Sequence, residues 1–357
     1  MRIEGPRAVA AGAQWRATLT VAPAARARPQ VRARLGAATV TVRVRRVAAG
    51  RFALSAVFPR AGRWGLVASV GAARHSLGVV RVSTRAIRLR SVLGLSLHPD
   101  GGLLIADGDL HSVVRADLST GRLTTFAAGA LDAPTDVEAA ADGTVYVADR
   151  HAGAVFRIAN GTISRLFDYA DPLSVAVDTR GNVFSTGRQN TVVRRDAVTG
   201  AVTRYAGTGE EGSTGDGGPA LAAKLFAPHG VAVDPNDDVV VAEVVSVRRI
   251  DRRTNVIEAI AGNGQRALCG ERGPATQVCL TSLRVAFEPD GDFWIADPEN
   301  RRLWHVVSGR ATAVDLGFAP FDVVVESERS LLVADSPGRR VLRYDVATGA
   351  ATQVVPR

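Results

Sequence analysis

Residues Phe287 to Val306 read FEPDGDFWIADPENRRLWHV. An apolar run meets a Pro-Asp-Gly turn, then a β-rich run ending in Ala-Asp, then a polar loop and a third run. Asp and Gly tolerate left-handed backbone angles and bond their own main chain, so they suit such turns. The pattern predicts a meander of short antiparallel strands, and it recurs.

The Ala-Asp step stands at Ala106-Asp107, Ala148-Asp149, Ala296-Asp297 and Ala334-Asp335, with degraded copies at Ser185-Thr186 and Ala242-Glu243. The second residues of these pairs are 42, 37, 57, 54 and 38 apart. Self-similarity at such a period marks a repeated supersecondary unit. The turn before each second strand lies at Pro99-Asp100-Gly101, Asp142-Gly143, Arg180-Gly181-Asn182, Asn236-Asp237-Asp238, Asp290-Gly291 and Glu328-Arg329. A later Thr-Gly turn, at Thr120, Thr199 and Thr348, links strands three and four. Runs such as Thr144-Val145-Tyr146-Val147 favour strands over a helical solenoid. One four-stranded sheet cannot bury both of its faces. Radial closure of six copies does so and leaves only short edges. The expected fold is therefore all-β: a six-bladed β-propeller of four-stranded antiparallel blades over residues 85–357, after a small β-sandwich over residues 1–84. The recurring Asp of Ala-Asp is expected to cap the turn after strand two.

Pro228-His229-Gly230-Val231-Ala232-Val233-Asp234, the Ala-Asp endings and Asp297-Pro298-Glu299-Asn300 before Leu303 resemble NHL repeats, from about Val92 to Val355. The Gly-rich loop Gly207 to Ala220 is similar to an inter-blade insert of bacterial NHL proteins. The resemblance implies a propeller used mostly as a binding or scaffolding surface, for a protein or for a small polar or carbohydrate ligand. A minority of relatives are lyases or lactonases. An enzyme of that kind would use a divalent metal with Asp136, His229 and Asp322.

Residues 1–84 lack this punctuation and alternate with period two, as in Trp15 to Val21, Thr39 to Arg45, Arg51 to Val57 and Trp64 to Val70. That alternation predicts a small antiparallel sandwich. Phe58-Pro-Arg-Ala-Gly-Arg-Trp64 followed by His75 to Val82 resembles Ig-like modules of YtkA- or FixH-type envelope proteins. Trp64 is expected in the core and His75 in a structural role. Ser83 to Arg90, without Gly or Pro, reads as a linker able to form an extra edge strand.

The chain of 357 residues carries a formal net charge of +9, unevenly spread. Residues 1–85 hold sixteen arginines and one acid, Glu4, for +15; the remainder sums to −6. Arginine usage can follow genome composition; read functionally, residues 1–85 dock on an anionic envelope surface. No aromatic residues interleave with the arginines, which argues against nucleic acid. No apolar run of about 18 residues offers a transmembrane helix. Met1 to Val21 has no apolar segment of the kind a signal peptide needs. A monomer is expected.

Two long inserts precede the fourth and fifth copies. In the first, Thr208 to Ala227, glycines permit the turn and Ala220 to Leu225 make a short helical plug. It lacks the Gly-Lys-Ser/Thr ending of a phosphate loop. Asp216 is its one candidate for calcium, and no other cofactor is indicated. The second insert, Asn263 to Cys279, aligns with the first and holds both cysteines, Cys269 and Cys279. Folded back as the first insert is, it would bring the two sulfurs together. A disulfide, two buried thiols or a metal pair without a nearby His all fit. A disulfide points outside the cytoplasm, with the leader absent from this sequence; a cytoplasmic location is the alternative.

A ligand site is expected where inner strands line the central channel. The second inner-strand position is Gly in the resembled family, whereas Asp136, Arg284 and Asp322 stand there in this chain. Such departures mark functional sites. Asp136, Arg284, Asp322 and His229, with Glu138, are expected at one mouth of the channel.

Overall fold

The computed structural model describes residues 87–355 throughout and, before them, the strands between residues 2 and 83. The chain divides into compact units, Met1–Ile87 and Arg88–Arg357. Among the described residues no helix is long and apolar enough to cross a membrane.

The first unit has strands β1 (Arg2–Glu4), β2 (Ala8–Ala10), β3 (Gln14–Thr20), β4 (Gln30–Leu35), β5 (Ala38–Ala48), β6 (Arg51–Val57), β7 (Gly62–Val70) and β8 (Ala73–Ser83). Their hydrogen-bonded order is β1-β3-β6-β5-β4-β7-β8-β2. β5 changes partner midway: Ala38 to Val42 pair with β4, and Arg43 to Ala48 pair with β6. A strand shared in this way is how sandwiches turn a corner. Trp64 is fully buried, as are Leu19, Val31, Ala33, Phe52, Leu54 and Leu66, and so takes the core position expected of it. The side chain of His75 lies outside the described residues, as do residues 84–86 of the linker. Residues 87–90 are not a strand.

The second unit contains six antiparallel sheets, five of four strands and one of five. We number them I to VI, with inner strands Gly94–Leu97, Pro134–Ala139, Pro172–Val177, Pro228–Val233, Arg284–Phe287 and Pro320–Ser327. Each inner strand touches the next, and that of sheet VI touches that of sheet I. The Leu95 N–H donates to Asp322 Oδ2 at 2.6 Å across this closure. The arrangement is a β-propeller. Its hydrophobic cores lie between successive sheets: Leu104, Val113, Val137, Val147 and Phe156 join I to II, and Trp294, Leu303, Val323 and Val333 join V to VI. Each such side chain contributes about 1.5–3 kcal/mol on full burial. This is why the second strands, such as Leu103–Asp107 and Val145–Asp149, are buried on both faces.

The Ala-Asp aspartates are buried and cap the turn as expected, but they also hold the entry to the inner strand. Asp149 accepts from Asp132 N (2.6 Å), Ala133 N (2.9 Å) and Ala152 N (3.0 Å). Asp107 does the same with Arg90 N, Ser91 N and Leu110 N. In sheet IV the longer Glu243 pairs with Arg248 (3.3 Å), and both side chains are fully buried. Arg248 also donates to Asp216 Oδ1 at 3.0 Å, to Lys224 O and to Thr214 O, and so clamps the Gly-rich insert. A guanidinium thus lies beside Asp216, the residue singled out as a candidate for calcium. The plug shrinks to one turn, Ala220–Ala222, with Ala220, Ala223 and Leu225 buried. In the second insert Cys269 and Cys279 form a disulfide. Arg272–Pro274 adds the fifth strand to sheet V.

Candidate functional site

Four inner strands open with Pro: Pro134, Pro172, Pro228 and Pro320. Pro is tolerated at the first residue of a strand, where no ladder donor is needed. A register shift follows each, between Pro134 and Asp136, Pro172 and Ser174, Pro228 and Gly230, and Pro320 and Asp322. Such bulges re-aim side chains. After them Asp136 and Asp322 line the axial cavity, whereas the bulged residues Thr135, Leu173, His229 and Phe321 do not.

The space there is tight. A Cβ on Gly94 would lie 2.5 Å from Asp136 Oδ1, and one on Gly230 would lie 2.6 Å from Leu283 O. Glycine at these two positions therefore makes room for the larger Asp136 and Arg284 on the neighbouring strands. Asp136 and Asp322 are each 5% exposed and Arg284 8%. All three line the axial cavity.

Arg284 is the hub of this layer. Its Nη1 donates to His229 O (3.1 Å) and Leu283 O (3.1 Å), and its Nη2 donates to Leu173 O (2.9 Å). Its Nε lies 3.8 Å from Asp136 Oδ2. One side chain thereby ties together strands from sheets II, III, IV and V. Asp136 Oδ2 also accepts from Ser174 Oγ (2.5 Å) and Val175 N (3.0 Å), and its Oδ1 from Val137 N (2.9 Å). Asp322 accepts from Leu95 N and Val323 N. Glu138, two residues beyond Asp136 and on the same strand face, has Ser96 Oγ at 3.3 Å.

These groups border a cavity of about 330 Å³ lined by Ser96, Asp136, Glu138, Arg284, Phe287 and Asp322 among others. Three carboxyl groups face one guanidinium. Burial, then the neighbouring Asp136 charge, push the Glu138 carboxyl up to about 8; Asp322 adds to this and Ser96 opposes it. Burial and then Asp136 raise Asp322 to about 7, against Arg284 and its two backbone donors. Glu138 therefore holds a proton at neutral pH and can donate a hydrogen bond into the cavity.

His229 is the expected site residue that the structure sets apart. It is the bulged residue, its imidazole does not line the cavity, and only its carbonyl joins the Arg284 network. Burial, then Arg284, lower its pKa. With His229 outside, and the Asp136 oxygens already held by Ser174, Val175, Val137 and Arg284, the trio Asp136, His229 and Asp322 does not fit a metal ion. Among the described residues, the acids close enough to share an ion are Glu288, Asp290 and Asp292, in the hairpin that follows the inner strand of sheet V. Sequence reasoning missed Ser96 and Ser174, the hydroxyls that hold Glu138 and Asp136. Ser174 was legible as the small polar residue at the second inner-strand position; Ser96 carried no signal.

No family model matches the sequence, and no curated protein matches it. Solved structures do. A protein of unknown function from Bacteroides thetaiotaomicron aligns at 13% identity over 97% of this chain and 98% of its own, with a TM-score of 0.59. A streptogramin B lyase aligns at 12% identity over 76% of this chain and 85% of its own, with a TM-score of 0.55. A gluconolactonase from Xanthomonas campestris aligns at 12% identity over 70% of this chain and 84% of its own, also at 0.55. At these identities the likeness is one of fold, and the fold it shares with the sheets described above is the β-propeller.

Proposed function

We propose that this protein is an extracytoplasmic binding or scaffold protein. Its propeller, six-bladed and of NHL type, spans residues 85–357 and takes a small polar ligand, carbohydrate-like in its hydroxyls, in the axial cavity. Its Ig-like β-sandwich, residues 1–84, docks on an anionic surface. The observation that carries the ligand site is the cavity wall, where Glu138, Asp322 and the Asp136–Arg284 pair present donors and acceptors together. A volume near 330 Å³ lies at the small end of ligand pockets, which suits a small molecule. The disulfide in the second insert supports an oxidising compartment.

Calorimetric titration of neutral sugars and polyols into the full chain tests the site. Binding that is lost in Glu138→Gln and Asp322→Asn supports it. Binding that neither substitution alters overturns it.

A second reading is an enzyme of the lyase or lactonase kind. Two of the fold neighbours bear those names, and a carboxylic acid protonated at neutral pH can act as a general acid. Turnover of lactone or glycan substrates that disappears in Glu138→Gln would favour it over binding alone.

A further inference from the structure

β4 and the Val42–Arg45 stretch of β5 alternate in burial. Val31, Ala33, Val42 and Val44 are buried, while Arg32, Arg34, Arg43 and Arg45 between them are exposed. In the β4–β5 register Val31 faces Val42 and Arg32 faces Thr41. β5 pairs with β4 only as far as Val42 and with β6 from Arg43 onward. Arg34 and Arg32 on β4, then Arg43 and Arg45 on β5, make up the file that runs through this change of partner. Outward residues on one strand stand about 6.7 Å apart, and neighbouring strands about 4.8 Å.

Two further facts shape this file. Glu4 is the sole acid in residues 1–85. It sits on β1, three strands from β5 in sheet order, so no carboxylate of this unit interleaves with the four guanidinia. The file also crosses the point where β5 leaves β4 for β6, between Val42 and Arg43. Guanidinia strung along such a corner present a line of charge, which suits a chain better than a plane. The aromatic side chains Phe52 and Trp64 are buried on the opposite face, so they give bases nothing to stack on.

From this geometry we infer that the outward side of β4 and β5 binds a linear polyanion of the polyphosphate kind, held by Arg32, Arg34, Arg43 and Arg45. The inference rests on the proposed docking of residues 1–85 on an anionic surface; it names the residues and the partner's chemistry. Recognition is by charge alone, through bidentate guanidinium–phosphate contacts and counterion release.

Long-chain inorganic polyphosphate is the probe, with fluorescence anisotropy of the labelled full chain as the readout. Four contacts on a flexible polyanion predict a log–log salt slope of about −3, or a loss of about fiftyfold between 50 and 200 mM salt. The variant Arg32→Gln/Arg34→Gln/Arg43→Gln/Arg45→Gln is expected to bind at least tenfold more weakly, with a slope near zero. A charge-matched variant, Arg7→Gln/Arg60→Gln/Arg74→Gln/Arg81→Gln, is expected to retain most of the binding. Thermal melts of both variants check that each is folded. Equal losses in the two variants overturn the inference and leave general anionic docking intact. Tighter binding to phosphatidylglycerol vesicles, or to oligo-dT of equal charge, than to polyphosphate overturns it in favour of a bilayer or a nucleic acid. No binding to any of the three removes the docking proposal as well.

Discussion

Replacing Arg284 by Met takes the hub out of the channel while keeping most of its volume. The structure fixes what is lost. The carbonyl of Leu173 loses its Arg284 donor, that of His229 keeps only the Thr186 hydroxyl, and Asp136 loses the cation beside it. Removing one partner of a buried ion pair costs about 3–5 kcal/mol, because the remaining charge stays desolvated. A unit of this size loses roughly 2–4 °C of melting temperature per kcal/mol. The transition belonging to residues 88–357 should therefore fall by about 10 °C at pH 8. Arg284 also holds Asp322 down against the upward push of burial. Without it Asp322 takes a proton more readily, the repulsion between the channel acids eases at low pH, and the deficit should shrink by about half at pH 5. Arg284→Lys restores a charge but not the planar fork, and should recover only part. Differential scanning calorimetry from pH 5 to pH 8 is the assay. A Met variant melting within about 2 °C of the parent at pH 8, or an equal deficit at both ends, would refute the assigned role of Arg284.

Glu138→Gln removes a group that holds its proton to about pH 8 when folded but only to 4.5 when unfolded. The folded state binds more protons across that interval, so stability falls as pH rises from 4.5 to 8. The Gln variant should escape the fall and gain roughly 2–4 kcal/mol over the parent between pH 5 and pH 9, allowing for the part of Glu138 open to the cavity. Parallel melting curves across that range count against it. Asp149→Ala leaves three main-chain N–H groups without their acceptor and should cost about 2–4 kcal/mol, with Asp149→Asn costing less; urea unfolding reads the difference. Reducing the Cys269–Cys279 bond releases a loop with a sequence separation of ten and should cost about 3 kcal/mol, read as a lower melting temperature in reductant. No shift in reductant would show that the insert is held by its other contacts.

The repeat was legible because local chemistry writes it. Gly101, Gly143 and Gly291 adopt positive φ at the Asp-Gly turns, where no other residue fits as well. The buried second strands read as short apolar runs, and the aspartates that close them stand at fixed places. The channel was legible in part for the same reason. Asp136, Arg284 and Asp322 occupy a position that close strand packing reserves for a small residue, so their size marks them. What stayed hidden depends on long-range geometry. Besides Glu243, Arg248 finds its partners 24 to 34 residues away in a loop, and strand periodicity does not announce the clamp. His229 was misplaced because a one-residue bulge after Pro228 turns it off the axis, and strand periodicity alone does not reveal a bulge. The fifth strand of sheet V, Arg272–Pro274, has only three residues and takes its pairing from sheet V, not from its own propensity.

The most direct measurement is the ionisation of Glu138 itself. Carboxyl carbon NMR on glutamate-labelled protein, assigned with Glu138→Gln, gives its midpoint without relying on stability. A channel that gathers Glu138, Asp136 and Asp322 around one arginine predicts a midpoint near 8, displaced when a ligand fills the cavity. A midpoint in the ordinary glutamate range, about 4–5, unmoved by any ligand, would mean that these acids do not share a buried cavity.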